Sequence, residues 1–364
     1  MQDILLRELN SSDLDWILNT GRQREISPNA IVIPEGKTID TFDIILDGNL
    51  SLKYLDDANS PLSKVFAKLE DNKSKSRGLK VFQLKSGEVI GEDCLLGKQE
   101  INSIEIRATE ASRIVSLPLL QLETKIEQDA AFAARFYRAI AILLANRLEQ
   151  TIAEIGRRQF APLRTARDVL FIFGQLHDSD IDWAIANGQV QQVATNKVLV
   201  RQGTAVDALY ILLSGTMKVV LSEGESNPLA RAFAAIEDTK PQGRELTKLR
   251  QGEILGETTF IDGRLSYATI QAVENSSVLK ITRQQLGIKL QQDLGFASRF
   301  YRAIATLLSH RLEELIRRLG YGKHTYSQDP EAEEDELDPD LLEEISLAGT
   351  RFNSMLERLG CFAK

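Results

Sequence analysis

The chain repeats itself once, and this repeat constrains its fold more than any other feature of the sequence. Residues 13–36 (DLDWILNTGRQREISPNAIVIPEG) align with residues 180–203 (DIDWAIANGQVQQVATNKVLVRQG) at an offset of 167. The offset falls to 165 at the GEVIGEDCLL and GEILGETTFI segments, and to 164 at FAARFYRAIAILLANRLEQ and FASRFYRAIATLLSHRLEE. Loops absorb such small insertions at little cost. A self-similarity of this length indicates two copies of one domain of about 150 residues.

Each copy has the same succession of hydropathy patterns. A helix containing Asp-Leu-Asp-Trp or Asp-Ile-Asp-Trp comes first, short β-branched stretches separated by glycines follow, and a long amphipathic helix closes the copy. Alternating stretches of this kind predict short antiparallel strands with tight turns. We therefore predict an α+β chain of two tandem β-roll (jelly-roll) domains with flanking helices and a C-terminal helical tail. The predicted segments are domain 1 or copy one (1–150), a linker helix (151–168), domain 2 or copy two (169–318), an acidic linker (319–337) and an amphipathic tail helix (338–359).

The charge distribution argues against direct binding of nucleic acid. The net charge of −8 is concentrated in residues 321–364, which hold four Lys and Arg against eleven Asp and Glu. A near-neutral body with an acidic tail lacks the basic patch of a nucleic-acid-binding protein, and no basic helix-turn-helix follows copy two. The sequence also contains no apolar run of about 18 residues, no secretory signal and no paired cysteines, so we expect a cytoplasmic protein without membrane insertion.

Motifs of the common enzyme classes are missing from the sequence. It contains no Walker loop, no GxSxG, no HExxH and no recognisable pair of catalytic carboxylates or Cys/His arrangement. We therefore predict a non-enzymatic protein that requires no cofactor and holds no metal.

The order and spacing of glycines in both copies resemble the cyclic nucleotide-binding domain family. Copy two has Gly203, Gly215 and then GEILGETTFIDGRLSYATIQA, and copy one has Gly36, Gly48 and then GEVIGEDCLLGKQEINSIEIRA. The resemblance implies a cassette in which backbone N–H groups of a short helical turn bind a cyclic phosphate, while the glutamate after the glycine accepts a ribose hydroxyl. The implied cassette residues are Gly256, Glu257, Thr258 and Thr259 in copy two, and Gly91, Glu92, Asp93 and Cys94 in copy one.

Both copies depart from the family at the arginine that binds the phosphate. Its position falls on Ser266 in copy two and, in copy one, on Ile101 or, allowing for an extra loop residue, on Asn102. Losing one charge-assisted hydrogen bond costs about 1.5–3 kcal/mol. We therefore predict that copy one does not bind and that copy two is the better candidate, with cAMP, cGMP or another anionic ligand. The additional candidate residues are Arg264, Ser266, Tyr267 and Thr269 in copy two, and Asn102 and Ser103 in copy one.

The C-terminal segment predicts an amphipathic helix beyond an acidic linker. Asp338 is a suitable N-cap, Pro339 suits the first helical position and Gly360 ends the pattern. Such a helix either docks on its own chain, pairs with a second copy in a homodimer, or binds a protein partner. Its apolar positions are Leu341, Leu342, Ile345, Ala348, Phe352, Met355, Leu356 and Leu359.

Two functions follow from these patterns. In the first, the chain is a regulatory sensor, similar to the tandem-domain regulatory subunits of kinases, in which ligand binding to copy two is signalled to a partner protein. In the second, both domains are degenerate and form a ligand-free protein-interaction scaffold. The two-domain layout also resembles a cyanobacterial group described as bacteriocin-type transport-associated proteins, which implies an association with transport.

Overall fold

The computed structural model describes residues 4–34, 37–55, 78–97, 104–155, 168–221, 243–318 and 339–361. The chain divides into two compact units. Unit 1 comprises Met1–Arg157 and Leu308–Leu337, and unit 2 comprises Arg158–Leu307 and Asp338–Lys364. Most of the two predicted linkers, and the copy-one candidates Asn102 and Ser103, lie outside the described residues.

Unit 1 contains a β-roll of two four-stranded antiparallel sheets, with strand orders β1-β8-β3-β6 and β2-β7-β4-β5. Their inward faces carry fully buried side chains such as Phe42, Leu50 and Ile106. The strands are β1 (Arg22–Ile26), β2 (Ile31–Ile33), β3 (Thr41–Asp47), β4 (Asn49–Leu55), β5 (Gly78–Lys85), β6 (Val89–Ile90), β7 (Ile104–Ala108) and β8 (Ser112–Pro118).

Unit 2 contains a second β-roll of the same design, with strand orders β14-β11-β16-β9 and β10-β15-β12-β13. Its strands are β9 (Gln189–Val193), β10 (Val198–Val200), β11 (Ala208–Ser214), β12 (Met217–Leu221), β13 (Arg244–Leu249), β14 (Ile254–Leu255), β15 (Thr269–Ala272) and β16 (Ser276–Thr282). The predicted α+β class with two β-rolls and flanking helices is therefore confirmed.

The helices flank the rolls in chain order. None in the described part of the chain has both the length and the apolar character needed to cross a membrane. They are α1 (Ile4–Glu8), α2 (Ser11–Thr20), α3 (Glu92–Leu95), α4 (Leu119–Gln128), α5 (Ala130–Ile155), α6 (Asp168–Gln175), α7 (Asp178–Asn187), α8 (Glu257–Asp262), α9 (Arg283–Gln292), α10 (Leu294–Arg318) and α11 (Pro339–Arg358).

The repeated Asp-x-Asp-Trp motif ties the first helix of each copy to its closing helix. Asp13 accepts two hydrogen bonds from the Arg135 guanidinium, at 2.7 and 3.0 Å. Asp180 accepts the equivalent pair from Arg299, at 2.9 and 3.0 Å. Both carboxylates are buried, and Asp13 also forms a capping box with Asn10. A bidentate arginine–carboxylate pair is strong and directional, so each pair fixes the closing helix against the helix that opens the roll.

The tail helix α11 docks on its own chain, where it packs against α6 and α7 within unit 2. The Phe352 ring meets the Phe173 ring edge-on, with centroids 6.0 Å apart. The Arg351 guanidinium donates to the Phe173 carbonyl at 2.8 Å and to Asp178 at 2.7 Å. Of the three predicted arrangements of this helix, the structure thus shows docking on its own chain. Its buried apolar residues are Ala348, Phe352, Met355 and Leu356.

Candidate functional site

A glycine in the left-handed conformation precedes the short helix in each predicted cassette. Gly91 has φ +92° before α3, and Gly256 has φ +85° before α8. A Cβ on Gly91 would lie 2.6 Å from the Thr41 carbonyl oxygen, and one on Gly256 would lie 2.8 Å from that of Ala208. Both the backbone conformation and the close approach to a strand therefore require glycine at these positions.

In unit 2, the cassette helix is buried and held at its C-terminal end. Glu257, Thr258 and Thr259 are each less than 5% exposed. The Arg283 guanidinium donates to the carbonyls of Thr259 at 2.6 Å and Phe260 at 3.1 Å, and it lies 5.1 Å from the centroid of the Phe260 ring. Carbonyls at the end of a helix have few donors of their own, the Thr259 carbonyl accepting also from the Gly263 N–H, so Arg283 stabilises the position of α8.

The copy-two residues that follow α8 form a turn of their own. Arg264 donates to the Asp262 carboxylate through Nε at 2.9 Å and through Nη2 at 2.5 Å. Ser266 donates its hydroxyl to the Ala268 carbonyl at 2.8 Å. Arg264 therefore forms a local ion pair within the turn that leads to β15.

Two other candidates in this segment have structural contacts. Thr269 accepts a hydrogen bond at its hydroxyl from the Gln202 N–H, at 3.0 Å, and Tyr267 packs beside the apolar core of the β-roll. The Thr269 contact joins β15 to the turn that follows β10. The segment 262–269 is thus fixed against its surroundings by bonds of both backbone and side chains.

A pocket of about 200 Å³ adjoins this cassette in unit 2. Two of its lining residues, Val206 and Tyr210, lie 3.1 and 3.9 Å from the position of a Cβ on Gly256. Burial, together with the nearby Asp207 carboxylate, raises the pKa of the Tyr210 hydroxyl to about 12, so the hydroxyl stays protonated at neutral pH. The pocket is lined by Val198, Leu199, Val200, Arg201, Thr204, Ala205, Val206, Asp207 and Tyr210.

In unit 1, an arginine from the closing helix pairs with the cassette glutamate, the counterpart of Glu257, and with a second glutamate nearby. Arg147 of α5 forms a buried ion pair with Glu92, lies 3.3 Å from a Glu88 oxygen and donates to the Val89 carbonyl at 2.7 Å. Burial raises the pKa of the Glu92 carboxyl, and the Arg147 charge opposes that rise. The Glu92 carboxylate is thus engaged by the protein itself, and a ribose hydroxyl would have to share it.

The next two residues of the unit 1 cassette also lack the character of a phosphate site. Asp93 accepts a hydrogen bond of 2.5 Å from the Ser309 hydroxyl, also within unit 1. Burial raises the pKa of the Cys94 thiol, and the Asp93 and Glu92 carboxylates raise it further. A pair of acidic groups here disfavours an anionic ligand.

Comparison with known proteins identifies a cyclic nucleotide-binding domain in unit 2. Residues 190–293 match the family model described as "Cyclic nucleotide-binding domain". The chain therefore contains such a domain, and the resemblance predicted from copy two is confirmed over this segment. No curated protein matches the chain. The cyanobacterial transport-associated group stays a prediction.

Similar solved structures include three regulatory parts of protein kinases. The cAMP-bound PfPKA-R is 15% identical, with 88% of each chain covered and a TM-score of 0.31. The regulatory domain of Toxoplasma gondii PKA with cAMP is 15% identical, covering 85% of this chain and 92% of that one, with a TM-score of 0.28. The regulatory subunit of a cAMP-independent protein kinase A from Trypanosoma brucei is 18% identical, covering 79% and 81%, with a TM-score of 0.27. All three similarities are distant.

Three arginines near these sites are absent from the sequence-based prediction. Arg147 and Arg283 hold the two cassettes, and Arg201 lines the pocket. The repeat offers one usable signal, because Arg201 aligns with Pro34 and Arg283 with Leu119, so each is a charged residue that only copy two has.

Proposed function

We propose that the chain is a non-enzymatic regulatory protein in which unit 2 binds a cyclic nucleotide or a related anionic ligand. The observation that carries this proposal is the buried Glu257 that follows Gly256 beside a pocket, within the segment that matches the cyclic nucleotide-binding domain. A buried glutamate at the start of a short helix suits a ribose hydroxyl, and the helix start suits a phosphate. cAMP and cGMP are the first ligands to test.

Unit 1 takes a structural part in this proposal and binds no nucleotide. Its Glu92 carboxylate is paired with Arg147, and Asp93 adds a second negative charge beside it. Neither group attracts a phosphate. Glu92 and Glu257 occupy the same position in the two copies and therefore provide a matched pair of variants for the binding experiment.

Three contacts within unit 2 connect the segment of the ligand site to two other elements. The ring of Phe260 in α8 lies 5.9 Å from that of Phe300 in the closing helix α10. On the other side, the Val169 N–H of α6 donates to the Gly252 carbonyl at 2.8 Å, and the Asp168 carboxylate accepts from the Ile254 N–H at 3.0 Å. A shift of the cassette on ligand binding would therefore act on both α10 and α6.

The tail helix is the output element of this proposal. Phe352 of α11 lies 3.5 Å from the position of a Cβ on Gly252, four residues before the cassette glycine Gly256. Ligand binding that moves this segment would change how firmly α11 is docked. Its apolar face would then become available to a protein partner or to a second copy of the chain.

Isothermal titration of the full-length protein with cAMP, cGMP and cyclic dinucleotides tests the proposal. We expect saturable binding at micromolar or lower concentration with one site per chain. Glu257→Gln should abolish it and the matched Glu92→Gln should preserve it, with circular dichroism confirming that both variants are folded. Binding lost equally in both variants would contradict the assignment of the site to unit 2.

The ligand-free scaffold is the second candidate, and it is favoured by the absence of a cation at Ser266. On this proposal the two β-rolls bind proteins, in association with a transport system. The scaffold predicts no heat of binding across the whole nucleotide panel, whereas the sensor predicts binding to at least one member.

A further inference from the structure

The ligand site of unit 2 needs a cation that its cassette does not supply. Ser266 stands where the family places the arginine that pairs with the phosphate. Two arginines close to the cassette are already engaged. Arg264 is paired with Asp262, and Arg283 donates to the Thr259 carbonyl at the end of α8.

A third arginine lies on a turn that is hydrogen-bonded to the Ser266 position. The Gly203 N–H donates to the Ser266 carbonyl at 2.7 Å, and the Ser266 N–H donates to the Thr204 carbonyl at 2.9 Å. The Thr204 hydroxyl donates to the Arg201 carbonyl at 2.7 Å and closes the turn. Arg201 is thus held on the strand–turn segment next to the residue that replaced the cassette arginine.

Arg201 is also the only lysine or arginine among the nine residues that line the pocket. No ion pair or side-chain hydrogen bond within the described parts of the chain involves its guanidinium. The one acidic lining residue, Asp207, has Lys280 at 3.4 Å and accepts a hydrogen bond from the Tyr210 hydroxyl at 3.5 Å. The charge of Arg201 is therefore available to a ligand, while that of Asp207 is partly balanced by the protein.

The size of the pocket indicates how much of a ligand it takes. Pockets for whole drug-sized molecules usually measure roughly 300–1,000 Å³. At about 200 Å³, this one suits a phosphate and an adjoining sugar, with the base of a nucleotide lying outside it. The Thr204 and Tyr210 hydroxyls of the lining donate to the Arg201 carbonyl and the Asp207 carboxylate, and their oxygens can accept hydrogen bonds from the sugar hydroxyls.

We propose that Arg201 binds the phosphate of the nucleotide ligand of unit 2, in place of the arginine missing at position 266. This inference rests on the proposed function of unit 2. It explains why the charge appears in copy two alone, since the aligned residue of copy one is Pro34. A guanidinium offers the planar pair of donors that matches a phosphate.

Titration of the full-length protein with cAMP and with uncharged adenosine tests this assignment. A charge-assisted hydrogen bond is worth about 1.5–3 kcal/mol, so Arg201→Ala should weaken cAMP binding about ten- to a hundredfold. It should leave the affinity for adenosine unchanged, because adenosine carries no phosphate. The double variant Arg201→Ala/Ser266→Arg should recover cAMP binding, since it places the cation in the family's own position.

The outcomes distinguish a failure of this inference from a failure of the proposed function. Recovery of cAMP binding in the double variant supports Arg201 and excludes misfolding as the cause of the loss. Wild-type affinity in Arg201→Ala, with binding still abolished by Glu257→Gln, overturns the role of Arg201 and leaves the sensor intact. An equal loss for cAMP and adenosine overturns the phosphate contact. No binding to the wild-type chain overturns both.

Discussion

The docking of the tail helix depends on one buried aromatic side chain, which makes Phe352→Ala the most informative perturbation of the fold. Phe352 is 3% exposed and packs against Phe173 and Gly252. Truncating a buried phenylalanine costs about 3–5 kcal/mol, through lost transfer free energy and the cavity left behind. All of these contacts join α11 to the rest of unit 2, so the cost falls on the free energy of undocking.

Hydrogen exchange followed by mass spectrometry measures this free energy locally. Every 1.4 kcal/mol changes an equilibrium tenfold, so a loss of about 3 kcal/mol raises the undocked population roughly a hundredfold. Amides of residues 346–358 should exchange faster by that factor in Phe352→Ala. Peptides of β9 to β12 should keep their wild-type rates, because the β-roll core does not include this ring.

Leu347→Ala is the matched control on the same helix. Leu347 is 44% exposed, so its truncation should cost less than about 0.5 kcal/mol and leave exchange nearly unchanged. Wild-type exchange of α11 in Phe352→Ala would show that Phe352 does not hold the helix, and would remove the output route proposed above.

Three further substitutions test the fold. Asp180→Asn should lower the free energy of unfolding by about 3 kcal/mol in urea titration, because it breaks a pair whose carboxylate is buried while Arg299 is one-quarter exposed. Asp293→Ala should cost about 1 kcal/mol by removing the cap of α10. Since Lys289 and the Phe296 N–H lower the pKa of Asp293 below its ordinary 3.8, the part of that cost that depends on the carboxylate charge should be full above about pH 4 and be lost as the pH falls through the lowered pKa; a cost independent of pH would contradict a contribution from the charge. Gly256→Ala should destabilise the cassette by more than the 1–2 kcal/mol or so expected from its left-handed backbone alone. Gly263→Ala, with φ +78° and open space around it, isolates that backbone cost, and equal Tm shifts would refute the close contact.

The local chemistry of both cassettes was predictable from the sequence. Gly91 and Gly256 follow a strand and precede a short polar turn, and only glycine adopts the required left-handed conformation at low cost. The lack of a cationic side chain at position 266 was also predictable, because the spacing from the GE dipeptide locates the position of the family's arginine. The expectation that Arg264 reaches the ligand site is not tested, although its carboxylate partner Asp262 lies only two residues away.

The sequence by itself determined the repeat, the two β-rolls and the apolar face of the tail helix, because hydropathy periods specify which face of each element is buried. It left open what covers that face, since own-chain docking, a second copy and a partner groove all satisfy the same pattern. Only the tertiary structure shows that α6 and α7 cover this face, where the Phe173 ring meets the Phe352 ring. It also determined the contacts of Arg147 and the position of Arg201 beside the pocket. The former acts on a carboxylate 55 residues away, and the latter lies on a turn bonded to a residue 63 positions later. Such contacts follow from how strands and helices pack, and no local pattern encodes them.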